Sequence, residues 1–402
     1  MVLLSLLFPS VGQDHAVPEP IPYATNGTLD ATTDGWSLDP YDAVLLLSFG
    51  GPERPEDVVP FLENVTRGRG IPRERLVEVG EHYFQFGGKS PINDQCRELL
   101  AALRGEFDRR AIGLPIFWGN RNWEPYLNDV AQQLAADGYR RVVVVTTSAY
   151  PSYSSCRQYR ENLYDAFHET DLTVERIRHY ADTPGFVAAS VDSTLAAVDE
   201  LAAERGDQVA PRLVFVTHSI PTAMAETAGP QPHSREGGYV DWHRLVAAEV
   251  WRQVAAQRPV AAEHDLVYCS RSGPPTQPWL EPDVNDHLAA LADAGERAVV
   301  AVPIGFVSDH MEVIFDLDTE AAATAQELGL GFARAATAGT HPAFVRELVD
   351  LLVERAAVAR GELVDEPTIE GGDPGRYACP ANCCPNLRQP DRPALCGLPA
   401  AL

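Results

Sequence analysis

RVVVVTT at residues 141–147 and RLVFVTH at 212–218 decide the fold: each is a short run, apolar on both faces of an extended chain, closing on threonine or histidine. Strands of that kind need cover on both sides, which a parallel sheet flanked by helices provides. Similar runs lie at 43–49 (AVLLLSF), 114–119 (LPIFWG), 265–270 (DLVYCS) and 298–307 (AVVAVPIGFV), with amphipathic stretches such as 124–137, 240–256 and 341–357 between them. This alternation, repeated in both halves, predicts an α/β protein of two Rossmann-like domains joined near residue 205. A ligand cleft is expected between them, where the carboxyl ends of the strands meet. The expected bounds are a disordered leader at 1–40, domains at 41–205 and 206–360, and a flexible linker with a cysteine-rich tail at 361–402.

A chain of 402 residues suits two domains of ordinary size. The formal net charge of -25 excludes a general nucleic-acid binder, which needs a basic footprint. Arginine supplies the cationic charge, with Lys89 the single lysine. No stretch approaches the roughly 20 apolar residues that cross a bilayer. The opening MVLLSLLFPS lacks the charged flank and cleavage site of a secretory signal, so a cytoplasmic location without integral membrane contact is expected. No P-loop and no GxGxxG follows any of the strands, which argues against a nucleotide phosphate cradle.

His218 closes the strand VFVTH, where an imidazole points into the cleft and can take a proton or bind a metal; it can equally be a satisfied polar residue. The segment PIGFVSDHMEVIFDLDTE at 303–320 carries Glu312, Asp316 and Glu320 at intervals of four, which places them on one face of a helix. Such a ridge is either a solvated surface or, beside a cleft, a path for a divalent cation; His with carboxylates suits borderline metals. Asp309 is expected to cap that helix. Four of seven cysteines crowd the tail at Cys379, Cys383, Cys384 and Cys396, a pattern that in a reducing compartment means metal ligation or free thiols before disulfides. Cys96 and Cys269 read as ordinary helix and strand residues.

LLSFGGPE (46–53), RGRGIP (67–72), GGKSPIN (87–93), SYSSCRQY (152–159), THSIP (217–221) and GFVSDHMEVIFDLDTE (305–320) together resemble the ferrochelatase family, in order and spacing, over about 41–358. The likeness is to the cysteine-tailed coproporphyrin ferrochelatases of actinobacteria. It implies chelatase-type domains with four parallel strands each and a porphyrin cleft between them. It implies insertion of ferrous iron into coproporphyrin III in haem biosynthesis, with protoporphyrin IX insertion or a non-catalytic porphyrin carrier as the alternatives. It further implies that His218 and Glu312 face each other across the porphyrin as the metal-insertion pair. Ser90, Tyr159 and Tyr83 would contact the macrocycle or its carboxylates, and Arg67 and Asn122 would line the cleft. Asp316 and Glu320 would extend a path for iron or protons. Cys156, from SYSSCRQY, would join Cys379, Cys383 and Cys384, with Cys396 as substitute, around a 2Fe–2S cluster; zinc is the rival. The implied partners are porphyrin, ferrous iron and, transiently, neighbouring haem-pathway enzymes. One departure stands out: many relatives carry an iron-ligating tyrosine where this chain has Phe49, whose phenyl ring cannot ligate.

Overall fold

The computed structural model describes residues 36–205, 210–229, 233–273, 276–380 and 383–395. Most of the expected leader (residues 1–35) and Cys396 lie outside these. Residues 37–40, expected in the leader, form a turn in which Leu38 is buried and the Asp39 carbonyl accepts a hydrogen bond from Arg360 at 2.6 Å.

Eight strands form two parallel sheets. The first has the order β2–β1–β3–β4, from Ala43–Ser48 (β1), Ile116–Asn120 (β2), Arg141–Thr146 (β3) and Thr173–Arg176 (β4). The second repeats it as β6–β5–β7–β8, from Arg212–His218 (β5), His264–Cys269 (β6), Ala298–Val302 (β7) and Gly331–Arg334 (β8). Every residue of β1 and β7 is buried, as expected of strands covered on both faces. Two parallel α/β sheets of four strands each are therefore present, as expected.

In both sheets the strand order reverses beside the central strand, so ligand-accessible crevices open at the carboxyl ends of β1 and β5. His218 pairs in register with Cys269 at that end of the second sheet. Strand periodicity then divides the side chains of β5. Val214 and Val216 pack with Val313 and Leu317, and His218 continues that face. Thr217 points the opposite way, toward the helix Gly238–Ala255.

The halves are tied together. The Gln95 side chain accepts from the Asp309 backbone N–H at 2.7 Å and donates to its carboxylate at 3.2 Å. The last helix, Pro342–Ala359, crosses back onto the first half, where Arg110 binds Asp350 and Arg178 binds Glu354 at 2.7 Å.

The stretch 361–378 is not the loose linker its composition suggests. Arg178 donates to the carbonyls of Pro367 and Pro374 at 3.1 and 3.2 Å. Asp182 accepts from the Asp373 N–H at 3.0 Å through its carboxylate and from the Ile369 N–H at 2.8 Å through its carbonyl. Proline and glycine here shape a pinned strap whose partners lie far away in sequence.

Among the described residues, no helix is long and apolar enough to cross a membrane.

Candidate active site

Nε2 of His218 stands 3.5 Å from Oε1 of Glu312. The other ring nitrogen, Nδ1, lies against the carbonyl of Ser219, an oxygen that can only accept, so Nδ1 carries hydrogen and Nε2 faces the carboxylate. Burial alone would push the His218 pKa down; the Glu312 carboxylate overrides it and lifts the imidazole to about 9. For Glu312, burial works upward and the imidazole downward, and the balance leaves the carboxyl at about 2. The two form an ion pair at neutral pH.

The spacing of 3.5 Å corrects one expectation. A macrocycle cannot lie between groups in van der Waals range of each other, so the two side chains lie on one side of the cleft. Both residues belong to the second half: one ends β5, and the other begins the segment after β7.

That segment departs from an ordinary helix. Met311–Val313 is α-helical, Ile314–Ala321 is a π-helix, and Ala322–Glu327 returns to α. Wide turns of this kind recur at functional sites. The N-cap is His310, not Asp309: His310 Nδ1 accepts from the Glu312 N–H at 3.2 Å, while the Asp309 carboxylate is engaged by Gln95 and Arg334. Asp309 is drawn away because it bridges the halves. Burial lowers the His310 pKa, so its Nδ1, 3.7 Å from Glu312, belongs to a neutral ring and forms no ion pair.

Asp316 lies one turn further on and accepts a hydrogen bond from the Ser270 hydroxyl. Burial, followed by the charges of Glu312 and Glu320, raises its pKa to about 7. Ser270 holds a left-handed backbone (φ 61°), unusual for a residue other than glycine, and that conformation aims its hydroxyl at Asp316. Glu320 is exposed at the end of the ridge.

The opposite wall comes from the first half. Tyr83, at the end of the helix Arg73–Phe84, packs edge-on against Phe61, which also meets Phe49 and Trp123; burial and the Glu312 charge raise its hydroxyl pKa. His82 stacks on Phe315 with centroids 3.9 Å apart, so this helix touches the π-helical segment directly. Phe49 presents an aromatic face, with the Arg121 guanidinium 5.5 Å from its centroid. Asn122 ties the same loop down by donating from its side chain to the Phe49 carbonyl at 3.2 Å. Arg67 is exposed and hydrogen-bonded to Asn64.

Ser90 and Tyr159 sit deeper than the expectation placed them. Ser90 is buried against Gly51, and Tyr159 lies in the first core with Arg121 stacked 4.3 Å above its ring. Of the arginines near the cleft, Arg73 pairs with Glu63 and Arg157 is buried with Glu161. Arg69 differs: its pKa is lowered by burial and by the positive charges of Arg388 and Arg121. Arg121 is held nearby, donating to Asn162 Oδ1 at 2.7 Å.

Cys156, Cys379, Cys383 and Cys384 come together as four buried thiols. Hydrogen bonds from Cys379 and Cys384 hold the Cys156 pKa well down, against its burial. The buried Arg176 donates to Cys379 Sγ at 3.2 Å, and the Gly229 N–H, from the second half, donates to Cys384 Sγ at 3.1 Å. Both donors favour thiolate sulfur, but the neighbouring thiols and burial raise the Cys383 and Cys384 pKa, so the set matches a four-thiolate group in residue type alone. Among the described residues, no three His, Cys, Asp or Glu side chains are already disposed around a metal position.

Sequence reasoning did not find the roles of His310, Ser270 and Gln95; none carries a local signature, because each acts through a partner distant in sequence.

The ferrochelatase family model matches residues 41–356. A protein of Streptomyces coelicolor called coproporphyrin III ferrochelatase is 53% identical over 371 residues, covering 90% of this chain and 98% of that protein. A Streptomyces griseus protein of the same name is 52% identical, covering 89% and 96%. A ferrochelatase of Rhodopirellula baltica is 47% identical, covering 90% and 97%.

Proposed function

The chain belongs to the ferrochelatase family, and from that membership we infer that it is a lyase inserting Fe²⁺ into coproporphyrin III to give Fe-coproporphyrin III. The carrying observation is the His218–Glu312 pair at a strand end, facing an aromatic wall with an arginine corner beside it.

Insertion exchanges two pyrrole protons for one Fe²⁺. The macrocycle lies against Phe49 and Tyr83, and its carboxylates meet Arg69 and Arg121, with Arg67 and Asn122 at the rim. Ser90 and Tyr159 shape the floor from beneath. Glu312 presents negative charge to the incoming cation, and His218 takes protons from the pyrroles. Since His218 rests protonated, its proton must first leave. Asp316, whose carboxyl titrates at about 7, is suited to pass it on toward exposed Glu320. Phe49 leaves iron without an axial ligand from that residue.

Cys156, Cys379, Cys383 and Cys384 would hold a 2Fe–2S cluster, which when bound would cross-link the tail to the first half; iron insertion does not pass through it. A visible absorption band in purified protein, lost in Cys384→Ser, is the expected result. A colourless protein containing zinc would replace the cluster with the rival metal.

A cytoplasmic location and transient contact with neighbouring haem-pathway enzymes belong to the same reading, since a tetracarboxylate porphyrin is soluble in water. The deciding experiment is anaerobic Fe²⁺ insertion into coproporphyrin III and protoporphyrin IX side by side. A higher kcat/KM for coproporphyrin III is expected. The reverse order would make the protein a protoporphyrin enzyme, and no insertion into either would make it a carrier.

A further inference from the structure

Behind His218, on the opposite face of β5, lies a buried polar chain that the mechanism above does not use. His243 is fully buried and stacks on Tyr150 with centroids 3.6 Å apart. Its Nδ1 is 2.6 Å from the Tyr239 carbonyl, and its Nε2 is 2.9 Å from the Thr217 hydroxyl. The Thr217 hydroxyl is also 2.8 Å from the Tyr239 hydroxyl, which in turn is 2.9 Å from the carbonyl of His218.

The direction of each bond follows from the inventory of hydrogens. A carbonyl only accepts, so His243 Nδ1 carries hydrogen. Burial keeps this ring neutral, with its pKa lowered to about 3, so Nε2 is an acceptor. The Thr217 hydrogen must then point at Nε2. With that hydrogen engaged, the single Tyr239 hydroxyl hydrogen is shared between two acceptors, Thr217 Oγ1 and the His218 carbonyl. Tyr239 is thus oriented by Thr217, Thr217 by His243, and His243 by the Tyr239 backbone. The loop is closed, and the Thr217 and His243 hydrogens each have one direction in it. Space is equally restricted: a Cβ on Gly305 would stand 2.0 Å from Thr217 Oγ1, so the chain after β7 presses on the same hydroxyl.

We propose that Tyr239, locked by Thr217 and His243, is a positioning residue for iron insertion, fixing the His218 backbone so that Nε2 meets its partner. The proposal rests on His218 being the proton acceptor. A small displacement of such a group lowers the chemical step much more than substrate binding.

Tyr239→Phe removes one hydroxyl and keeps the ring. The expected result is a fall in kcat of about tenfold or more with the coproporphyrin KM within twofold, in protein of unchanged secondary structure. Thr217→Val should reproduce that split, and Thr217→Ser, which keeps the hydroxyl, should restore most of the rate. If Tyr239→Phe lowers only thermal stability while kcat per folded molecule stays at the wild-type value, the chain is merely structural and the proposal is overturned. If Tyr239→Phe does not fold, the serine and valine pair decides, and equal kcat in the two overturns it. His218→Ala separates the levels: activity retained there removes the premise, whereas activity lost there with wild-type kcat in Tyr239→Phe removes only this inference.

Discussion

Glu312 is held between two imidazoles that it treats differently: His218, 3.5 Å away, is charged by it, while His310 stays neutral and caps its helix. The difference lies in the second nitrogen. His218 donates Nδ1–H to a carbonyl and offers Nε2 to the carboxylate, whereas His310 already uses Nδ1 to accept a backbone N–H. The first prediction follows. His218→Ala removes the proton acceptor without touching the aromatic wall, so turnover should fall about 10²–10⁴-fold while coproporphyrin still binds. Anaerobic insertion rates and porphyrin fluorescence titration measure the two quantities separately.

The pair also sets a pH dependence. A proton acceptor works when neutral, and Glu312 keeps His218 protonated up to about pH 9. The rate should therefore climb with pH on a limb near 9. Glu312→Gln removes the lifting charge, so on the residual activity the limb should move down toward the ordinary histidine value of about 6.5. An unmoved limb would assign it to some other group.

Arg69 and Arg121 carry a substrate prediction. Arg121→Gln should raise the coproporphyrin KM about tenfold, the worth of one charge-assisted hydrogen bond, with kcat little changed. Added salt weakens this local attraction, which acts against the -25 of the chain as a whole, and the wild-type KM should rise with ionic strength. Steady-state kinetics between low and moderate salt test both.

The central strands were legible because Val142–Val145 and Val299–Val302 are continuous apolar runs that only a two-sided core accommodates. The edge strands β4 (TVER) and β8 (GFAR) were not, being four residues long and partly charged. His218 and Glu312 stood out because each adjoins a strand end. Their mutual distance did not: sequence order says nothing about which side of a cleft a side chain enters. The four cysteines were readable by type, whereas Arg176 and Gly229, which serve their sulfurs, were not. Tyr239 and His243 lie on an amphipathic helix like any other, and only the fold brings them to Thr217.

The strap at 361–378 yields a stability prediction. Arg178 is fully buried, pairs with Glu354 at 2.7 Å and holds two strap carbonyls. Arg178→Ala leaves the buried Glu354 charge with the Tyr377 hydroxyl alone and those carbonyls without this donor, and should cost about 3–5 kcal/mol. Replacing both partners with apolar residues should recover part of that loss, since the penalty comes from the orphaned charge. Urea denaturation measures the loss, and limited proteolysis should show new cleavage within 361–378.

Glu347 provides a second pH effect, this one on stability. Its carboxylate is buried in the last helix and accepts the Gly185 N–H at 2.9 Å, yet burial outweighs that bond and raises its pKa from 4.5 to about 7. The raised value means the folded state binds a proton that the unfolded state has released. Its penalty is therefore absent below about pH 4.5, grows as the pH rises toward 7, and then levels off at about 3 kcal/mol at most. Glu347→Gln imitates the protonated form and can still accept from Gly185. The variant should match wild type near pH 4.5 and exceed it at pH 8, as read from urea midpoints at the two values. Equal midpoints at pH 8 would mean that Glu347 ionises in the folded protein without cost and that Gly185 N–H suffices to hold its charge.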